Sequence, residues 1–232
     1  MKFKKLITLV IHKKYIVLTI VGLIVIGGLA IIPTIKTSVR PRAEFTIVID
    51  AGHGGRDGGS IGINGSIEKD LNLQYAKELK KILSKAGVNV IMTRESDDGL
   101  YDEDAENKKL SDMRKRREII NNAMPDLVVS IHMNSFPLDS CKGAKTFYKI
   151  GSEVSFNAAK TIQNSLSYYV NNASKTVSAG DYYILNCTNY TSVLIECGFL
   201  SSPEEEVLLN TSTYREDFVY SIYRGIMIYL GM

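Results

Sequence analysis

The chain has 232 residues, 45% of them hydrophobic, enough to bury a full core, and one folded domain is the default expectation. Its net charge of +3 is local, because Lys2, Lys4, Lys5, Lys13 and Lys14 all precede the first long apolar run and the remainder is close to neutral. That balance argues against an electrostatic nucleic-acid surface, and no nucleic-acid partner is expected.

In chain order, residues 1–14 read as a basic cytoplasmic segment and 15–32 as a transmembrane or signal anchor. No charge or proline interrupts the run from Ile16 to Ile32, and Pro33 closes it. At about 1.5 Å rise per residue this run comes near the hydrocarbon thickness of a bilayer. Five lysines before it outnumber Lys36, Arg40 and Arg42 after it, which places the N-terminus in the cytoplasm and the remainder outside. A cleaved signal peptide is the rival; against it, the run exceeds the usual ~7–15 apolar residues and no convincing Ala-x-Ala site follows. Residues 33–43 contain two prolines and little periodicity, and read as a linker to a domain spanning 44–232.

Within that domain, strands are predicted at 45–50, 88–93, 127–132, 143–149 and 193–196, with a weaker one at 182–185. Helices are predicted between them at 69–86, 108–123, 154–171, 203–210 and 213–230. In the first helix Leu79, Ile82, Leu83 and Ala86 share a face opposite Lys77, Glu78, Lys80 and Lys81, and Gly87 stops it. Ser202-Pro203-Glu204-Glu205 is a helix start, with Ser as N-cap and Pro at the first helical position. The alternation predicts an α/β fold with a largely parallel sheet covered on both faces. The acidic stretch 95–106 reads as a surface loop. Arg114-Lys115-Arg116-Arg117, near Asp102, Glu103, Asp104 and Glu106, reads as a solvated, salt-bridged helix face. Cys141, Cys187 and Cys197 form an odd set without metal-cluster spacing; a Cys187–Cys197 bridge and buried free thiols both remain open.

Two of the three histidines stand where strand-like runs end, in Ile47-Val48-Ile49-Asp50-Ala51-Gly52-His53 and in Leu127-Val128-Val129-Ser130-Ile131-His132. Two such histidines point to convergence on one edge of one sheet. Glu68, at the mouth of a predicted helix, can complete a His-Glu-His set, the ligand count of a catalytic zinc site that keeps one position for water. Asp50 and Asp57 compete for that third place, and Asp50 could instead accept the other ring N–H of a ligand histidine. The glycines of Asp50-Ala51-Gly52-His53-Gly54-Gly55-Arg56-Asp57-Gly58-Gly59 match neither the dinucleotide nor the P-loop spacing, so room for a metal-bound histidine is the better reading. Glu196 ends the apolar run Val193-Leu194-Ile195, where an unpaired carboxylate has little structural reason to be. It is the candidate general base beside the metal.

These segments together resemble the zinc-dependent N-acetylmuramoyl-L-alanine amidases of the amidase_3 type. The resemblance rests on Asp50-Ala51-Gly52-His53-Gly54-Gly55, Glu68-Lys69, Thr93-Arg94, Arg116 before Asn121, Ser130-Ile131-His132-Met133-Asn134 and Ile195-Glu196-Cys197-Gly198-Phe199-Leu200-Ser201, spanning about 45–230 in the family's order. Ala51 stands where the family usually has proline, and Cys197 replaces a more usual small or branched residue. The resemblance implies a twisted, mostly parallel six-stranded sheet with helices on both faces, and zinc held by His53, Glu68 and His132 with Glu196 catalytic. It implies hydrolysis of the amide between the lactyl group of N-acetylmuramic acid and the L-alanine of the stem peptide. Within the family the chain is similar to the germination-specific, spore-cortex branch. That likeness implies peptide removal from cortex glycan before muramic-δ-lactam formation, a location between the forespore membranes, and leaves room for an accessory protein. Another zinc peptidase acting on wall peptides, and a catalytically silent peptidoglycan-binding module, are the alternatives.

Overall fold

Runs of β-branched and aliphatic residues set the frame of the domain, because side chains alternate between the two faces of a strand. In the computed structural model, which describes residues 45–138 and 141–232, six strands form one sheet in the order β2-β1-β3-β6-β4-β5. They are β1 (Thr46–Ala51), β2 (Asn89–Met92), β3 (Leu127–Asn134), β4 (Lys145–Lys149), β5 (Ser178–Gly180) and β6 (Ser192–Phe199). Strand β1 runs parallel to β2 and β3, β3 parallel to β6, and β4 parallel to β5; only the β4–β6 pairing is antiparallel. The expected anchor at 15–32 and linker at 33–43 lie outside the described residues. Among the described residues no helix is long and apolar enough to cross a membrane.

The two faces of the sheet feed separate apolar clusters. Ile47, Ile49, Val129, Ile131 and Ile195 pack under α1 (Glu68–Lys85), α3 (Glu153–Tyr169) and α6 (Ser212–Tyr229). Val48, Val128 and Leu194 point the other way, toward Ile120 of α2 (Lys108–Ala123) and Ile184 and Leu185 of α4 (Tyr183–Asn186). The sheet is therefore buried on both sides, as a mostly parallel sheet must be. Helix α5 (Pro203–Asn210) starts as the sequence predicts, with the Ser202 hydroxyl accepting from the Glu205 N–H.

One strand is misplaced in the sequence reading. Residues 183–186 are a single helical turn, and the sheet edge is formed instead by Ser178–Gly180. A short apolar run is ambiguous in period, and here Ile184 and Leu185 bury one side of a turn.

Helices α3 and α6 approach closely at Gly225, where a Cβ would come within 2.6 Å of the Ile162 Cα. Backbone cannot yield there without moving a helix. Gly225→Ala is therefore expected to lower stability by about 1–3 kcal/mol, measured by urea unfolding. Unchanged stability would show that the two helices slide apart freely.

Candidate metal centre

The parallel strands β1, β3 and β6 deliver their C-terminal ends to the same edge of the sheet. Chain β1 leaves the sheet at Ala51 and turns sharply, placing His53 in the left-handed region at φ 60°. Gly52 has no side chain for a reason of space: a Cβ there would lie 2.2 Å from the His132 ring. His132 sits near the end of β3, opposite Glu196 of β6 in the register, and the β3–β6 pairing shifts just after it. Glu68 opens α1, where the positive end of the helix favours a carboxylate.

These elements bring three sequence-predicted residues together. His53 Nε2 lies 3.1 Å and His132 Nδ1 3.0 Å from the same oxygen, Glu68 Oε1, and the two rings meet edge-on at 5.0 Å. One donor atom from each residue falls within 4.8 Å of the others. Two imidazole nitrogens and a buried carboxylate converging on one point suit a divalent transition-metal ion. The rest of the carboxylate is also anchored. Its Oε2 accepts the Ser60 N–H at 2.8 Å, and Oε1 accepts from Asn72 Nδ2 and the Met133 N–H, each at 3.3 Å. Burial alone would raise the Glu68 pKa, but hydrogen bonds from His132 and His53 hold the carboxyl well below the usual range. It is an anion, ready to bind a cation.

Of the competing carboxylates, neither lies between both rings. Asp57 Oδ2 lies 3.0 Å from His53 Nδ1, the supporting position the sequence reading offered to Asp50. Asp50 is instead held inside the sheet, accepting from Thr93 Oγ1 at 2.8 Å, Ser130 Oγ at 2.6 Å and Arg116 Nη1 at 2.6 Å.

Arg116 is a second correction. It does not share the solvated face of its neighbours but is 1% exposed, because its guanidinium is needed below the turn. Besides Asp50 it donates to Asp112 Oδ2, the Ala51 carbonyl and the His53 carbonyl. Arg94, equally buried, donates to the carbonyls of Ala51 and Gly52 at 2.9 Å and of Lys69 at 2.8 Å. Two guanidinium groups thus grip the three carbonyls of residues 51–53, and Asn72 Nδ2 adds a donor to Gly52 at 3.1 Å.

Glu196 is 8% exposed, and its Oε2 has no hydrogen-bond partner among the described residues. Burial pushes its carboxyl up to about 7, against the pull of His132 and His53 and with the Glu68 charge adding to the rise. Together with His53, Glu68 and His132 it lines an open cavity of about 720 Å³, walled further by Tyr101, Lys108, Met113 and Tyr182. Asn72 and Tyr182 escape the sequence reading. Asn72 follows Glu68 by four residues, one helical turn, which is a readable signal; Tyr182 falls in the run misread as a strand. The three cysteines are free, and burial drives the Cys197 thiol far up, so it is packing material.

Removing one partner of a buried ion pair strands the other, so Arg116→Ala is expected to cost about 3–5 kcal/mol in chemical unfolding. Burial would raise the Asp50 pKa from 3.8, but Arg116, Ser130, His132 and Thr93 win and hold it at about 2. A depressed acid stabilises the fold above its unfolded pKa and loses that contribution as pH falls through the folded one. The stability gap between wild type and Asp50→Asn should be full above pH 3.8 and close as pH falls toward about 2. A gap that stays constant with pH would refute the ion pair.

Comparison with known proteins agrees with this arrangement. Residues 47–227 match the Amidase_3 family, described as N-acetylmuramoyl-L-alanine amidase. The chain is 38% identical over 194 residues to the germination-specific N-acetylmuramoyl-L-alanine amidase of Bacillus subtilis, covering 82% of this chain and 81% of that protein. Its fold is similar to the CwlD amidase from Clostridioides difficile, solved in complex with the GerS lipoprotein, at TM-score 0.77 and 39% identity, over 81% of this chain and 98% of that one. It is also similar to an N-acetylmuramoyl-L-alanine amidase from Clostridium difficile 630, at TM-score 0.74 and 31% identity, over 81% and 97% of the two chains. With the family matched across most of its length and its motifs gathered at one edge of the sheet, this chain belongs to the Amidase_3 family of N-acetylmuramoyl-L-alanine amidases.

Proposed function

We propose that this amidase is zinc-dependent, with His53, Glu68 and His132 as ligands and Glu196 as general base, and that it strips stem peptides from spore-cortex glycan before muramic-δ-lactam formation. The observation that carries the site assignment is the pair of imidazole nitrogens 3.0 and 3.1 Å from one buried carboxylate oxygen. When bound, a zinc ion would supply Lewis-acid polarisation of the scissile carbonyl and a lowered pKa for attacking water. The chain's residues do the rest. Glu196, partnerless and poised by burial at about 7, accepts the proton of the attacking water. It then delivers that proton to the departing amine of L-alanine. Asn72 and the Ser60 N–H keep Glu68 turned to the two rings, and the Asp57 carboxylate, 3.0 Å from His53 Nδ1, favours a proton on that nitrogen and so leaves Nε2 as a donor of its lone pair.

The cortex assignment is supported by the likeness to a relative named as germination-specific, and an accessory partner by a structural neighbour solved with a lipoprotein. We place the catalytic domain at 44–232 outside the cytoplasm, between the forespore membranes, tethered through residues 15–32 by the linker 33–43. The uninterrupted apolar run and the lysine excess before it support that topology.

Three measurements test this reading. Glu196→Gln should keep its zinc and fold yet lose about 10²–10⁴-fold in kcat on cortex peptidoglycan; zinc lost with it would make Glu196 a ligand instead. His53→Ala and His132→Ala should lose bound zinc by elemental analysis. The acidic limb of kcat/KM should lie above pH 4.5, the ordinary carboxylate value, because burial raises the Glu196 pKa while bound zinc opposes the rise, and it should be absent from Glu196→Gln. Throughout, mass analysis of released fragments should find peptides beginning with free L-alanine. Peptides cut elsewhere would identify a different zinc peptidase.

A further inference from the structure

Tyr182 stands immediately before α4, on the wall of the cavity it shares with Glu196. Its ring is packed against two neighbours. The Phe147 ring of β4 meets it edge-on, with centroids 5.3 Å apart and planes at 69°. Gly180 of β5 adjoins both rings: a Cβ there would come 2.5 Å from Tyr182 Cε2 and 3.3 Å from Phe147 Cδ1. The ring thus occupies space that a larger residue at position 180 would fill. Its hydroxyl is a different matter. Tyr182 is half-buried, and its phenol makes no hydrogen bond to any described residue. With its ring packed and its hydroxyl uncommitted, the O–H is available to a ligand that enters the cavity.

Several charged groups around the cavity are more committed. Arg116 directs its donors to backbone carbonyls, Asp50 and Asp112. Lys108 pairs with Glu103 and lies over the Tyr101 ring, and Lys109 lies 3.6 Å from Asp57. Burial, and then the Glu196 charge, raise the Tyr182 pKa, so the phenol keeps its proton and acts as a donor. Amide hydrolysis needs such a donor. The acyl oxygen gains negative charge as water adds to the carbonyl, and a preplaced neutral O–H stabilises that charge without prior reorganisation.

We propose that the Tyr182 hydroxyl donates a hydrogen bond to the acyl oxygen of the scissile amide as the tetrahedral adduct forms. This inference rests on the amidase reading above. The test is Tyr182→Phe, which keeps the ring packed on Phe147 and Gly180 and removes only the oxygen. With zinc-loaded enzyme and a soluble muropeptide, kcat is expected to fall on the order of 100-fold while KM stays within about twofold. Zinc content and melting temperature are expected to match wild type. Affinity for a phosphinic analogue of the tetrahedral adduct, measured by calorimetry, should fall by the same factor as kcat. A Phe variant with wild-type kcat, or one with raised KM and unchanged kcat, overturns the proposal, the latter because it marks a contact remote from the reacting carbonyl. Failure of the amidase reading is distinguishable: wild type itself would then release no peptide with a free L-alanine terminus, and both would fall together.

Discussion

The buried ion pair between Arg116 and Asp50 is the constraint on which the catalytic edge depends. Asp50 is the penultimate residue of β1, and Arg116 reaches it from α2 on the opposite side of the turn. With Asp50 neutralising it, the guanidinium can remain in the interior and turn its remaining donors on the carbonyls of Ala51 and His53. Arg94 closes the same turn from the end of β2. The backbone between them passes through a left-handed residue at His53, a conformation that costs energy for any side chain. Four polar contacts from two rigid, planar groups offset that cost and leave the imidazole facing Glu68.

From this turn outward, the electrostatics divide two glutamates into separate roles. Glu68 is surrounded by donors and stays an anion, whereas Glu196, a strand away, has an oxygen with no partner and a carboxyl poised near neutrality. Both are buried, so burial does not separate them; hydrogen bonding does. One environment suits cation binding and the other suits proton transfer, the separation of paired carboxylates that acid–base catalysis uses.

The mostly parallel sheet makes this division compatible with one fold. Parallel strands end on one edge, so residues 53, 132 and 196, far apart in the chain, become neighbours without long connecting loops. The irregularity between β3 and β6 falls next to His132, where a pairing must yield for the ring to leave the sheet. Away from this edge the structure is ordinary packing: two apolar clusters, one on each face, hold the strands in one sheet.

The amino-acid order by itself determined the layer architecture, most element boundaries and the four residues that converge. Hydrophobic period distinguishes strands from helices locally, and a histidine or glutamate ending an apolar run is conspicuous because burial otherwise excludes it. Tertiary structure alone decided which carboxylate meets both rings, that Arg116 turns inward while Arg114 and Arg117 face solvent, and that Asp57 rather than Asp50 supports His53. It also decided that residues 183–186 form a helical turn and that Tyr182 joins the cavity. The physical reason is common to all of these. Charge and polarity are properties of a residue, but the partner that makes a buried charge tolerable is chosen by contacts tens of residues away, and sequence spacing does not encode distance.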